Sequence, residues 1–271
     1  MKLGVCAKDL MGTYANQLQW LADNGFDGFQ TWKRDMDNSN VSASDVLKMA
    51  SDLGLEVSAV GGGPNLVNPK SSPASIDAFC TFLDLSVELG PRIVTAEDKG
   101  KPRNLSDEDG WVSCVKIIST ICRHAESVGA VLAIEPAGPC LISDYDAWLG
   151  LAEAVGSPAL KVNYDPANIV WANRDAVEGA RVLGKHIVHT HAKDIRRVPG
   201  ENEQVREHMV DVPAGQGLVG FGAYLEALEH AGYDGYLTIE MHAGEHDRAA
   251  EMLESAAYLR SWLGAAGRSN P

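Results

Sequence analysis

Four short apolar runs in this chain each end on a residue that can bind a cation or move a proton. Val131-Leu132-Ala133-Ile134 leads into Glu135-Pro136, and Val162-Asn163-Tyr164 leads into Asp165-Pro166. Ile187-Val188-His189-Thr190 leads into His191, and Tyr236-Leu237-Thr238-Ile239 leads into Glu240. A short apolar run reads as a buried strand, and a proline just after it ends the strand. Parallel strands of one sheet deliver their C-terminal tips to one end, so these four side chains can meet at one point. Three carboxylates crowded together repel one another unless a cation joins them. Three carboxylates and an imidazole make a hard donor set, which favours one divalent ion: Mn²⁺ first, with Mg²⁺ or Co²⁺ as alternatives. Each acid taken alone reads as a solvated loop residue; four in register on successive units read as a site.

The elements that must position these residues are legible from their punctuation. Glycines that suit left-handed helix ends fall at 25, 54, 90, 129, 156, 184, 232 and 264. Ser42 with Asp45, and Ser143 with Asp146, are spaced as capping boxes. Ser72-Pro73 sets proline at a first helical position, and Ser106 precedes three acids that suit a helix N-terminus. Strands fit between the helices near 3–6, 27–31, 56–60, 92–96, 131–135, 160–164, 186–191 and 235–240. Strict alternation implies a parallel sheet, and eight units in this length imply a single-domain (β/α)8 TIM barrel spanning 1–271. A doubly wound open sheet is the alternative, but no Gly-x-Gly-x-x-Gly follows the first strand. Some thirty residues between His191 and Phe221 carry Pro199-Gly200 and Val212-Pro213, and this stretch reads as a functional loop over the site.

Further side chains stand near the predicted mouth. Trp32 ends the second strand and Trp171 follows Asp165; each is either a stacking surface for a sugar face or rim packing. Trp20, Trp148 and Trp262 have helical spacing among leucines and read as packing residues. His189 points the same way as His191, inward, as a substrate contact, a partner of the ligand or a satisfied core histidine. His242 has the same relation to Glu240. Lys193, Arg196 and Arg197 form a basic cluster that would act on a phosphate or an enolate, or else lie solvated on the loop.

Net charge is −14, which disfavours nucleic-acid backbones as partners. No apolar run approaches the length of a membrane span. Met1-Lys2 runs directly into a strand-like segment, too short for a secretion signal. Five scattered cysteines without a Cys-x-x-Cys pair suit a reduced, cytoplasmic protein. Association of copies of the chain stays open.

The wording of several motifs carries a resemblance. Asp165-Pro166-Ala167-Asn168, His189-Thr190-His191-Ala192-Lys193-Asp194 and Gly215-x-Gly217-x-x-Gly220-Phe221, followed by Gly232-Tyr233-Asp234-Gly235-Tyr236-Leu237-Thr238-Ile239-Glu240, resemble the sugar isomerase/epimerase family of xylose-isomerase-like barrels. Leu53-Gly54-Leu55-Glu56-Val57-Ser58-Ala59 adds to it, and the likeness runs from Gly4 to about Trp262. It implies one divalent cation on Glu135, Asp165, His191 and Glu240, with Glu135 and Glu240 as acid/base pair. The implied substrate is a small carbohydrate, a keto-sugar or related polyol. The implied reaction is isomerisation or epimerisation by proton transfer through an enediolate. Arg197 matches a sugar-contacting arginine of the family. Ketose 3-epimerases carry histidine where this chain has Asn168, and Gly-Glu where it has Lys193-Asp194. Asn168, His189, Lys193, Arg197, Trp32 and Trp171 are therefore the expected substrate contacts. The Lys-Asp form is shared with inosose dehydratases, and enzymes that remove aglycones from 3-keto-glycosides are also similar, so a metal-dependent lyase is the alternative reading. A non-catalytic sugar-binding barrel is a third. Abasic-site endonucleases of the same superfamily need histidines on early strands, and this chain has none before His124.

Overall fold

The computed structural model describes residues 1–7, 12–202, 205–241 and 247–266. Its frame is a closed barrel of eight parallel strands. In chain order these are β1 (Lys2–Cys6), β2 (Gly28–Trp32), β3 (Glu56–Gly61), β4 (Ile93–Ala96), β5 (Val131–Ile134), β6 (Leu160–Tyr164), β7 (Ile187–Ala192) and, after a hairpin of β8 (Asp194–Asn202) and β9 (Val205–Val212), β10 (Tyr236–Ile239). Each barrel strand pairs with its sequence neighbours, and β1 closes on β10 in the register Lys2↔Tyr236. The sequence-derived barrel is therefore correct, and the expected strands agree with the observed ones to within about two residues.

Helices wrap the outside: α1 (Tyr14–Asp23), α2 (Lys33–Asn38), α3 (Ala43–Leu53), α4 (Ser72–Leu89), α5 (Asp107–Val128), α6 (Tyr145–Val155), α7 (Pro166–Trp171), α8 (Ala176–Leu183), α9 (Phe221–His230) and α10 (Arg248–Ala266). The expected alternation gave one helix per strand, whereas β2 and β6 are each followed by two. Ser42 and Asp45 do form a reciprocal capping box. The second expected box does not: Asp144, not Ser143, caps α6 by accepting from the amides of Asp146 and Ala147. One carboxylate oxygen accepts both bonds at 3.0 Å each, and because α6 begins at Tyr145 it is Asp144, not Ser143, that occupies the cap position. Gly54, Gly90, Gly129 and Gly156 end their helices in the left-handed conformation as expected. Gly184 does not, because α8 tightens there into a 3₁₀ turn with φ −36°. Gly264 lies inside α10 and stops nothing.

The barrel core is unusual in its polarity. Gln30, Ser58, Thr95, Asn163, His189 and Thr238 are buried inside it, where branched aliphatic side chains are the norm. Trp148 is fully buried between helix and sheet, as its spacing indicated. The stretch between β7 and α9 is not an irregular loop. β8 and β9 pair antiparallel from Asp194↔Val212 outward, a two-stranded ribbon rising from the end that carries the ligands. No helix among the described residues is long and apolar enough to cross a membrane.

Candidate active site

Glu135, Asp165 and Glu240 each follow directly on the last residue of a barrel strand, and His191 is the penultimate residue of β7. The four side chains are buried, and their ligand-type atoms lie within 4.8 Å of one another. His191 Nδ1 stands 3.4 Å from Glu135 Oε2, 3.4 Å from Glu240 Oε2 and 3.9 Å from Asp165 Oδ2. The structure thus brings together the four residues singled out as strand-end donors.

Asp165 shows how local chemistry aims a ligand. Its Oδ1 accepts from the amides of Ala167 and Asn168 at 2.8 and 3.2 Å, capping α7, with Pro166 at the first helical position. One oxygen is fixed by the helix, and Oδ2 is left facing the cluster. The same Asp-Pro step that ends the strand therefore starts a helix and orients a donor.

The imidazole is aimed by a second chain of hydrogen bonds. Gln30 donates from Nε2 to Thr95 Oγ1 at 3.2 Å, so its Oε1 is an acceptor. His191 Nε2 lies 3.1 Å from that oxygen and donates to it. Nδ1 then turns to the three carboxylates without a hydrogen-bond partner, whereas Asp165 Oδ2 meets the Lys193 ammonium. A buried polar atom without a partner costs about 1–3 kcal/mol. Such a nitrogen facing three carboxylates, a set of hard donors within 4.8 Å of one another, fits a divalent cation. Without a cation, a proton takes its place: burial alone would lower the His191 pKa, but the Glu240 and Glu135 carboxylates outweigh burial and hold it well above the usual range.

Sequence reasoning missed Gln30 and Asn163. Asn163 donates to Glu135 Oε2 at 2.6 Å and accepts from His189 Nδ1 at 2.9 Å. His189 Nε2 is then the acceptor for Thr238 at 3.0 Å, with Ser58 at 3.3 Å. So His189 lies beneath the ligands rather than at the mouth. Two residues back along a strand keep the same face but sit about 6.6 Å lower. Burial, with the His191 ring beside it, holds its pKa well below normal, in keeping with a neutral ring. The signal for these residues was inward-facing polarity in strand cores.

Lys193 also departs from expectation. It was expected as a substrate contact, with a solvated loop position as the alternative; it is buried, because it occupies the single step between β7 and β8. Its ammonium lies 2.5 Å from Asp165 Oδ2 and 3.1 Å from Glu240 Oε2, and 3.3 Å from Asn168 Oδ1. Burial opposes its charge, and Asp165, Glu240 and Glu135 more than restore it, keeping its pKa well above normal. A divalent cation and this ammonium together match the three carboxylates. Asn168 also donates to Glu135 Oε1 at 2.7 Å.

The remaining expected contacts sit further out. Trp32 lines the small pocket at the mouth together with Gln30, Glu135, His191 and Glu240. Trp171 ends α7 and is 56% exposed. Arg197 is on β8, exposed, with its guanidinium donating to Asn173 Oδ1 at 3.1 Å. His242 lies outside the described residues.

Comparison with known proteins places this geometry. L-ribulose-5-phosphate 3-epimerase UlaE of Escherichia coli K12 is 30% identical over 145 residues, covering 53% of this chain and 48% of that protein. YfiH of Bacillus subtilis, an uncharacterized protein, is 29% identical over 136 residues, covering 45% and 43%. The matched stretch thus spans about half the length of these curated relatives. Among solved structures, an L-ribulose 3-epimerase superposes with a TM-score of 0.80 over 99% of this chain and 96% of that one, at 19% identity. The probable 3-DHS dehydratase AsbF of Bacillus anthracis gives 0.79 over 96% and 99%, at 18% identity. At such identities the likeness is one of fold. The family model named xylose isomerase-like TIM barrel matches residues 18–262, and with a closed eight-stranded barrel bearing its buried acids and imidazole at one end, the chain belongs to that family.

Proposed function

We propose that this protein is a divalent-metal-dependent isomerase or epimerase that moves a carbon-bound proton next to the carbonyl of a keto-sugar or related polyol. The observation that carries the reading is the pairing of Glu135 and Glu240 around one unpartnered imidazole nitrogen. Glu135, Asp165, His191 and Glu240 would hold the ion, which when bound supplies Lewis acidity to a carbonyl and its neighbouring hydroxyl. Mn²⁺ suits this donor set best.

Glu135 and Glu240 follow β5 and β10, with two strands between them one way around the barrel and four the other. Each can approach a substrate in the mouth from its own side. One carboxylate takes the proton to leave an enediolate, and the other returns it. Return to the opposite face gives an epimer, and return to the adjacent carbon gives an isomer. Asn163 and Asn168 hold both oxygens of Glu135, which fixes its plane. Trp32 would offer an apolar face to the sugar ring, and Arg197 and Trp171 would contact its far end. His189 would act through Asn163. The named relative UlaE supports a sugar substrate. None of the five cysteines of the described chain forms a disulfide, which suits a reducing cytoplasm.

A second reading is favoured by Lys193. An ammonium beside the proton-moving Glu240 suits stabilisation of a departing hydroxyl or aglycone, which would make the enzyme a lyase on an inosose or 3-keto-glycoside.

The test is exchange in D₂O. Mn²⁺-loaded protein is incubated with ketoses, inososes and 3-keto-glycosides, and deuterium uptake and products are read by NMR. Deuterium with inverted configuration or a moved carbonyl is the expected result. Loss of a hydroxyl or aglycone selects the lyase reading. Glu135→Gln and Glu240→Gln should each abolish turnover, and full turnover in either with metal bound would refute the two-base scheme.

A further inference from the structure

A fifth donor lies beside the four. Cys6 ends β1, and the register Val5↔Ile239 sets it level with Glu240 on the adjoining strand. The residue is fully buried, and its thiol lies against the His191 ring. The ligand-type atoms of Cys6, His191 and Glu240 all fall within 4.8 Å of one another. A buried cysteine is ordinarily a small apolar packing residue. Here the neighbouring His191 Nδ1, itself buried, has no hydrogen-bond partner.

We propose that Cys6, His191 and Glu240 form a separate, overlapping site for thiophilic divalent ions such as Zn²⁺ and Cd²⁺. Sulfur, nitrogen and oxygen donors with an open fourth position are a set that zinc accepts. A tetrahedral ion with bonds of about 2.0–2.3 Å holds its donors roughly 3.5 Å apart. The three atoms are near enough to close on it by small side-chain rotations. Binding forms a metal–sulfur bond and releases the thiol proton to solvent, with no change of oxidation state. A hard ion such as Mn²⁺ has no use for the sulfur and takes the carboxylates of Glu135 and Asp165 instead. His191 and Glu240 belong to both sets, so occupation of one site excludes the other. The inference rests on the donor geometry alone and stands whether the substrate is isomerised, epimerised or cleaved.

The experiment is spectroscopic and uses the whole chain stripped of metal. One equivalent of Cd²⁺ added to wild type should produce the ultraviolet sulfur-to-cadmium charge-transfer band, and Cys6→Ser should lack it. Zn²⁺ should displace bound Mn²⁺ from wild type, read as the reappearing electron paramagnetic resonance signal of free Mn²⁺. In Cys6→Ser that displacement should need on the order of tenfold more Zn²⁺ or above, the scale on which metal-site partners act. Mn²⁺ affinity itself should be the same in both proteins. Cys6→Ala serves as a second variant, and circular dichroism confirms that both are folded. A wild-type Cd²⁺ complex without the band, or a band that survives loss of Cys6, overturns the proposal. So does equal Zn²⁺ competition in variant and wild type.

Discussion

Lys193 contributes one positive charge to a cluster of three buried acids. Removing one partner of a buried ion pair strands the other, at about 3–5 kcal/mol. Lys193→Met should therefore lower the melting temperature of metal-free protein by roughly 6–20 °C, given about 2–4 °C per kcal/mol for a domain of this size. Mn²⁺ should recover much of the loss, because the ion meets the same carboxylate oxygens. Calorimetry with and without metal checks both; an unchanged metal-free melting temperature would place the ammonium outside the cluster. At this scale the sequence yielded the donors but not their supports. Glu135, Asp165, His191 and Glu240 stood out because each ended an apolar run. Gln30 and Asn163 sit inside such runs, where one polar residue in a strand has no distinguishing neighbour. Their role exists only across the barrel, in pairs such as Gln30 with His191, 161 positions apart.

Asp194, the residue after Lys193, anchors the start of the β8–β9 ribbon. Its carboxylate accepts from the amides of Gly215 and Gly217 at 3.1 and 2.8 Å, and of Val219 at 3.1 Å. It also accepts from its neighbour Ile195 at 2.9 Å. A Cβ on Gly217 would strike this carboxylate and the Ile195 carbonyl. Gly217→Ala should thus cost about 1–3 kcal/mol, the range for forced overpacking. It should also weaken Mn²⁺ binding, since displacing Asp194 displaces Lys193. Denaturant melts and Mn²⁺ titration check the two effects, and a wild-type result in both would show the turn to be independent of the site. The ribbon was read as loop because Pro199, Gly200 and Pro213 break strand patterns and both of its faces carry charges. A two-stranded ribbon outside the barrel has no buried face to impose alternation. The barrel strands, buried on both sides, left continuous apolar runs and were legible for that reason.

At the scale of the molecule, an ion on these donors would link four of the eight barrel strands, β5, β6, β7 and β10, which are otherwise held by packing and backbone pairing. Saturating Mn²⁺ at about a thousand times its dissociation constant should add about 4 kcal/mol, a rise of roughly 8 °C or more. Chelation should reverse it without unfolding the chain, since Lys193 and a proton on His191 partly offset the acids. Unfolding by chelator alone at room temperature would contradict this.

The ring of strands closes where the first meets the last, β1 on β10. This seam has a consequence for synthesis. When the ribosome has made β7, the chain possesses Glu135, Asp165 and His191, yet the sheet still has two bare edges. Unpaired edges recruit other chains, and the interval lasts several seconds at about 5–20 residues per second. Only Tyr236–Ile239 shuts the ring, and the next residue, Glu240, completes the donors. Closure of the ring and completion of the candidate metal site thus fall on the same few residues, so a nascent chain would lack its full set of donors until it has lost its sticky edges.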